Sequence, residues 1–286
     1  MDRLRPLWDF DDLDASEARF RAQLSEESSA AGRAEVLTQL ARVEGLRGDF
    51  EAGERHVEEA ESLAGDSEIG WARIDLERGR LRRSGGDPAA AYPLFVASFE
   101  RARSAGELHV AVDAAHMAAL AASDDDGFVE WTNRGIELAE NADPSVRYWL
   151  GPLLNNLGWQ LYEAGDYQPA LDAFQRALDE RERDPENHAA IELALYAVAK
   201  ALRALTRAGE GVPLLERAIA SADGDGRSDG WLREELAESY AAVGRPADAG
   251  EQARLALPLL ADADPDFEQD GERAARLRAV AEHVER

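Results

Sequence analysis

The chain has 286 residues, 45% hydrophobic and 31% charged, with 58 acidic side chains against 32 basic ones. Its formal charge of −26 excludes a nucleic-acid backbone or an anionic membrane surface as the main partner, because both would be repelled. The absence of cysteine excludes disulfides and thiolate metal sites, and the apolar content excludes wholesale disorder.

Ala, Leu, Glu and Arg recur throughout, aromatics are only 7%, and alternating β-branched runs are missing, which predicts an all-α fold. The start, MDRLRPLWDFDD, lacks the apolar region of a signal peptide, and no run reaches membrane-spanning length. Cytoplasmic residence is therefore expected. In LWDFDDLD (7–14), Trp8 and Phe10 either staple an N-terminal cap to the structure behind it or form a tail that inserts into a groove of this chain or a neighbour. A helix from about 15 to 28 follows, with Asp14 or Ser16 as N-cap and Phe20 and Leu24 on one face.

From there a turn followed by a stripe of small residues recurs. The first copy turns at Gly48, Asp49 and Phe50 and places Gly53, Val57 and Ala60 on its stripe. In the second, Gly79 precedes the turn residue Gly86 by seven positions, and Ala91 and Phe95 follow. A third, around DAAHMAALAASDDDGFVEWTNRGIELA, turns over Asp124 to Gly127 without the glycine signature. The fourth is the clearest: in LGWQLYEAGDYQPALDAFQRAL (157–178), Gly158 marks a close helix approach and Gly165–Asp166 the turn. Ala170, Phe174 and Ala177 form its stripe. A fifth copy turns near Gly209 and continues through Leu214, Leu215, Ala218 and Ile219. The last turns at Gly244, followed by Ala249, Ala253 and Ala256. A C-terminal helix from about 267 to 284, with Ala274, Leu277, Val280 and Ala281, ends the series.

The 157–178 segment resembles a tetratricopeptide repeat, a family of helix–turn–helix units stacked into a right-handed superhelix. The resemblance implies an all-α solenoid of about six hairpins in a single domain: an N-terminal cap at 1–30, hairpins over 31–262 and a capping helix over 263–286. It also implies that the first helix of each hairpin lines a concave groove for a protein or peptide. Carrying the family's groove positions onto this chain gives Gln39 and Arg42, then Arg73, Arg80 and Arg83, then Asp113 and Met117 with His116 beside them. The clear repeat contributes Asn155, Asn156, Trp159 and Tyr162, the fifth Tyr196, Lys200 and Arg203, and the last Trp231, Glu234 and Glu238. Asn bonds peptide backbone both ways, Trp and Tyr supply stacking area, and Arg holds carboxylates bidentately. Arg42, Arg80, Lys200 and Arg203 should make this face less acidic than the exterior. The competing reading is an arginine–glutamate lattice, with Glu77 near Arg73 and Arg80.

No constellation for catalysis or a cofactor stands beside this groove. GRSDG (226–230) matches a nucleophile elbow only in letters, because no strand feeds it. Asp223, Asp225, Asp229 and Glu234 alternate like a calcium loop, but Arg227 and Ser228 occupy a ligand position and the required glycine. Asp262, Asp264 and Asp266 also lack that glycine. His56, His109, His116, His188 and His283 show no metal-ligand spacing. The expected function is a scaffold or adaptor, not an enzyme. The alternative is a peptide-sensing regulator of a transcription or signalling partner, although such proteins usually carry a larger N-terminal domain.

Lys200 is the only lysine. A high-GC genome and a salt-rich cytoplasm both account for an acidic, Arg-dominated composition. In the salt-rich case screening relieves carboxylate repulsion. The melting temperature followed by circular dichroism should then rise by many degrees from low salt to molar KCl, and a flat response removes that reading.

Overall fold

The computed structural model describes residues 2–267 and 269–282. Every regular element among them is helical, as the composition predicts. A 3-10 turn at Arg5–Leu7 precedes α1 (Leu13–Glu26). Three hairpins follow: α2 (Ala30–Arg47) with α3 (Phe50–Ala64), α4 (Glu68–Ser84) with α5 (Pro88–Ser104), and α6 (Leu108–Ala121) with α7 (Asp125–Glu140). The short α8 (Pro144–Arg147) leads to α9 (Leu150–Glu163) and α10 (Tyr167–Arg181). Then come α11 (His188–Ala204) with α12 (Ala208–Gly224), α13 (Gly230–Ala242) with α14 (Pro246–Ala263), and α15 (Gly271–Glu282).

The chain divides into two compact units, Met1–Leu153 and Leu154–Arg286. In unit 1, α2, α4 and α6 pack side by side, and each also packs against the second helix of its own hairpin. In unit 2, α11, α13 and α15 likewise pack side by side, α11 and α13 each against the second helix of its own hairpin and α15 against α14. The core of unit 1 gathers Phe20, Leu37, Leu40, Val57 and Ile74 in one cluster and Phe95, Phe99 and Trp131 in another. That of unit 2 is built on Leu171, Phe174, Val198 and Leu202, on Leu215 with Leu232 and Leu236, and on Leu260, Phe267 and Leu277.

The glycine turns follow from backbone geometry. Gly48, Gly86, Gly165 and Gly244 all have φ between 77° and 91°, a region that suits a residue without Cβ. At the first of them the Gly48 amide donates to Gly45 O and the Asp49 amide to Glu44 O, which closes the helix end. Asp49 then caps the next helix by accepting from the Ala52 amide, and Asp87 repeats this with Ala90. The third hairpin turns just ahead of the expected span: Asp124 caps α7 through the Gly127 amide.

The fifth turn departs from the expectation of Gly209. It lies at Leu205–Arg207, with Thr206 at φ 60° in the glycine position, and Gly209 sits inside the first turn of α12. Both caps also shift. Asp12, not Asp14 or Ser16, caps α1 through the Ala15 amide; Asp14 pairs with Arg47, and Ser16 is tied to Asp9. The last helix starts at Gly271, with Phe267 buried in the turn before it. Residues 283–286, including His283, lie outside the described residues.

The close approach read at Gly158 is present. A Cβ at Gly158 would lie 2.4 Å from the buried ring of Phe174, and one at Gly79 would lie 2.4 Å from Phe95. Helix propensity alone favours Ala over Gly by about 1 kcal/mol. Here the ring is fully buried and cannot retreat, so overpacking wins. Gly158→Ala should destabilise the fold by about 1–3 kcal/mol, read from the urea midpoint.

Candidate functional site

Each unit presents a face made by its first helices. In unit 1, Arg42 of α2, Glu77 and Arg80 of α4 and Asp113 of α6 meet on that face. Arg80 bonds both Glu77 and Asp113, and Arg42 lies 3.9 Å from Asp113. Two guanidiniums thus face two carboxylates, and the group is neutral. Burial opposes ionisation of Asp113, but Arg80 and Arg42 outweigh it and hold its carboxyl down at about 2. Glu77 goes the other way: burial pushes it up, Arg80 and Arg42 pull back, and the Asp113 charge adds to the rise. Beside the group is a cavity of about 120 Å³ over Arg42, Glu77, Arg80 and Met117. His116 is half-buried, its ring 5.7 Å from Trp149, and burial pushes its pKa down.

Two further positions on this face, Arg73 and Gln39, are covered by the segment ahead of α1, whereas Arg83 donates to Leu120 O. Arg73 is buried and bonded to Asp2 by both terminal nitrogens, with Glu35 3.3 Å from its Nε. Burial opposes ionisation of Asp2, but Arg73 and the Leu4 amide prevail and lower its pKa. His109 Nδ1 stands 3.9 Å from Asp2 on the other side. Trp8 donates its indole N–H to Gln39 Oε1 at 2.9 Å. Trp8 and Phe10 stack at 4.7 Å, and the Arg42 guanidinium lies over both rings at 5.4 and 5.3 Å.

In unit 2 the corresponding face is open. Arg203 bonds Glu235 at 2.5 Å and pairs with Glu238 at 2.7 Å, and Lys200 donates to the Tyr196 hydroxyl. From α15, Arg273 holds Glu234 and Asp264, and Arg276 bonds Glu238. Four cations therefore meet four carboxylates. The four cations, with Glu234, Glu235, Glu238, Tyr196 and Trp231, line a cleft of about 350 Å³. A second cleft of about 370 Å³ shares Tyr196 and Trp231 and adds Leu193. Leu193 and Trp231 are 46% and 37% exposed, large apolar groups left in water. Trp159 packs on Phe174 at 5.1 Å and lies 6.2 Å from Tyr196, with Tyr162 at 5.6 Å on its edge. Asn156 is half-buried; Asn155 is buried, and its side-chain oxygen accepts no hydrogen bond.

The expected residues thus gather into two sets: Arg42, Arg80 and Asp113 on one face, and Trp159, Tyr162, Lys200 and Arg203 on the other. The cations are not free, as the lattice reading had it, and Glu77 does pair with Arg80. Arg73, however, is claimed by Asp2 and Glu35. Spacing alone does not point to Glu235, Arg273 or Arg276. An arginine pair three residues apart on the capping helix was the available signal. The acidic loops are committed elsewhere: Asp223 to Arg233, Asp225 to His188 and Arg227, and Asp229 to the cap of α13. No group of metal-ligating side chains and no helix long and apolar enough to cross a membrane occurs among the described residues.

Residues 151–184 match the tetratricopeptide repeat family model. No curated protein sequence matches the chain significantly. Solved structures with similar folds include BtubC (BKLC) from P. vanneervenii, with TM-score 0.65 and 20% identity over 77% of this chain and 92% of that one. The apo quorum sensor NprR from B. thuringiensis gives 0.58 and 13% over 94% and 83%. A Rap protein complexed with Competence and Sporulation Factor gives 0.54 and 14% over 94% and 80%. At these identities the likeness is one of fold.

Asp113→Asn should lower stability at pH 7 by about 3 kcal/mol, because it leaves two half-buried guanidiniums short of a counter-charge. The folded pKa lies below the unfolded value, so the Asp113 contribution is present above about pH 4 and fades as pH falls towards 2. Urea unfolding of the variant should accordingly depend less on pH over that range than that of the unaltered chain.

Proposed function

We propose that this tetratricopeptide-repeat chain is a non-enzymatic scaffold or adaptor that binds a protein or peptide in the cytoplasm on its first-helix faces. One observation carries the reading. On unit 2, exposed Trp231 lines both a cleft of four cations and three carboxylates and a second cleft that it shares with exposed Leu193, in a chain whose net charge is −26. Exposed apolar groups rimmed by polar ones are the usual mark of a docking surface. A hydrogen-bonding cleft lined by both signs of charge suits a peptide of mixed charge.

On this unit we assign contact roles to Asn155, Asn156, Trp159, Tyr162, Lys200 and Arg203. The amides would bond peptide backbone, the aromatic rings would take apolar side chains, and the cations would exchange a glutamate partner for a ligand carboxylate. On unit 1 the matching positions are Arg42, Arg80, Asp113 and His116. The clustering of three of these around one neutral group supports that assignment. A regulator that senses a peptide to control a transcription or signalling partner would use the same surfaces. It would differ in what the bound state does next.

Leu193→Asp combined with Trp231→Ala changes two exposed side chains and should leave the circular dichroism spectrum unaltered. Pull-down from a lysate of the source organism should then lose the proteins that the unaltered chain retains, with affinity for a purified partner falling at least about tenfold. If the folded double variant keeps every partner at full strength, the unit 2 face is not the binding surface.

A further inference from the structure

The segment 2–10 contacts positions of unit 1 that correspond, by distance from the turn, to positions on the first-helix face of unit 2. Counting back from each turn residue, Arg73 stands thirteen before Gly86, as Trp231 does before Gly244 and Leu193 before Thr206. Gln39 stands nine before Gly48, as Glu235 does before Gly244; Arg42 stands six before Gly48, as Lys200 does before Thr206. On unit 1 all three are engaged: Arg73 by Asp2, Gln39 by the Trp8 indole, and Arg42 by the Trp8 and Phe10 rings.

The manner of engagement is that of a bound peptide. The only regular structure in the segment is the 3-10 turn at Arg5–Leu7. Asp2 and Leu4 are buried and Trp8 is partly so; Arg3, Arg5 and Phe10 are exposed, Phe10 with 45% of its surface, and Arg3 bonds Glu27 at the surface. Anchors separated by exposed residues, a carboxylate on a buried guanidinium and an aromatic pair under a cation are recognition contacts. A segment that served only as a lid for apolar core would instead bury aliphatic side chains in series. Leu4 and Leu7 do this, and Trp8 sets its ring edge-on to buried Phe20 at 5.0 Å; beyond that, Trp8 and Phe10 hold each other and a charge.

We propose that residues 2–10 are an internal ligand, and that unit 1 binds a segment of another protein with the same chemistry by displacing them. That ligand chemistry is a carboxylate for Arg73 and His109, followed by a Trp-x-Phe-like aromatic pair for Gln39 and Arg42. The tether fixes the terms of exchange. A short covalent link holds the segment at an effective concentration on the order of millimolar, so only a competitor of higher intrinsic affinity or local abundance gains the face. The proposal rests on the reading that first-helix faces bind peptides, but it concerns a face separate from the unit 2 clefts.

The test uses the full chain with the segment released by Asp2→Arg, Trp8→Ala and Phe10→Ala, and a fluorescein-labelled synthetic peptide of residues 2–12 as probe. Fluorescence anisotropy should show the peptide binding the released variant at least about tenfold more tightly than the unaltered chain. Adding Arg73→Glu should abolish that binding, whereas Leu193→Asp with Trp231→Ala should leave it intact, which separates this proposal from the reading of unit 2. A released variant that keeps its helical spectrum yet does not bind the peptide overturns the proposal, as does equal binding to both chains. If the unaltered chain forms dimers by trading its segment, the occupant is a second copy and the assignment to a separate partner fails. Hydrogen exchange on the unaltered chain decides the matter even if the variant misfolds. The amides of residues 4–8 should exchange well ahead of the core of α2 and α4, and exchange together with that core would make the segment a fixed cap.

Discussion

Two ring-on-glycine contacts set the geometry on which the rest of the molecule depends. Phe95 lies on Gly79 and Phe174 on Gly158, each at a distance that leaves no room for a Cβ. A helical hairpin buries its apolar stripe only against a neighbour, so the separation of its two helices fixes where the next hairpin docks. With the helices this close, the stripes of small residues meet and the first helices of successive hairpins lie alongside one another. Residues at matching distances from their turns then share a face. That is why Arg42, Glu77, Arg80 and Asp113, on three different helices, form one ionic group.

Burial then dictates the chemistry of these faces. A carboxylate as enclosed as Glu77 or Glu235 can stay charged only beside a cation that also donates hydrogen bonds. Arginine meets that need with a planar fork, and the chain supplies it almost to the exclusion of lysine. The net charge of −26 is therefore carried mainly by residues away from the two ionic groups, which come close to neutrality. Charge repels polyanions from the surface as a whole, while the local balance leaves room for a peptide whose own charges replace one partner of a pair.

Much of this was legible in the sequence because turns and close approaches restrict residue type so sharply. Gly48, Gly86, Gly165 and Gly244 announce left-handed turns, and Gly79 and Gly158 announce contacts. Together they set the register from which the face positions were counted. Thr206 was not legible, since nothing local marks a β-branched residue as the one placed at positive φ. The nearest glycine, Gly209, is the residue that spacing points to instead. Nor could spacing show that Arg73 would be claimed by Asp2, because that pair joins residues 71 positions apart. The ambiguity over Trp8 and Phe10 had the same root: a staple and an inserted tail have one sequence signature, and only the location of Gln39 and Arg42 separates them.

The two faces differ most in the row thirteen residues before the turn. On unit 1 this row holds Glu35 and Arg73, charged and enclosed; on unit 2 it holds Leu193 and Trp231, apolar and in water. Each is the less comfortable choice for its setting. A buried arginine needs a carboxylate, and an exposed tryptophan needs an apolar cover. The chain supplies the first from its own Asp2. Among the described residues, nothing covers Leu193 and Trp231 to a comparable degree. One scaffold thus carries a face whose demand is met internally and a face whose demand is left open. The same rule of burial, applied to the same helical position, accounts for both.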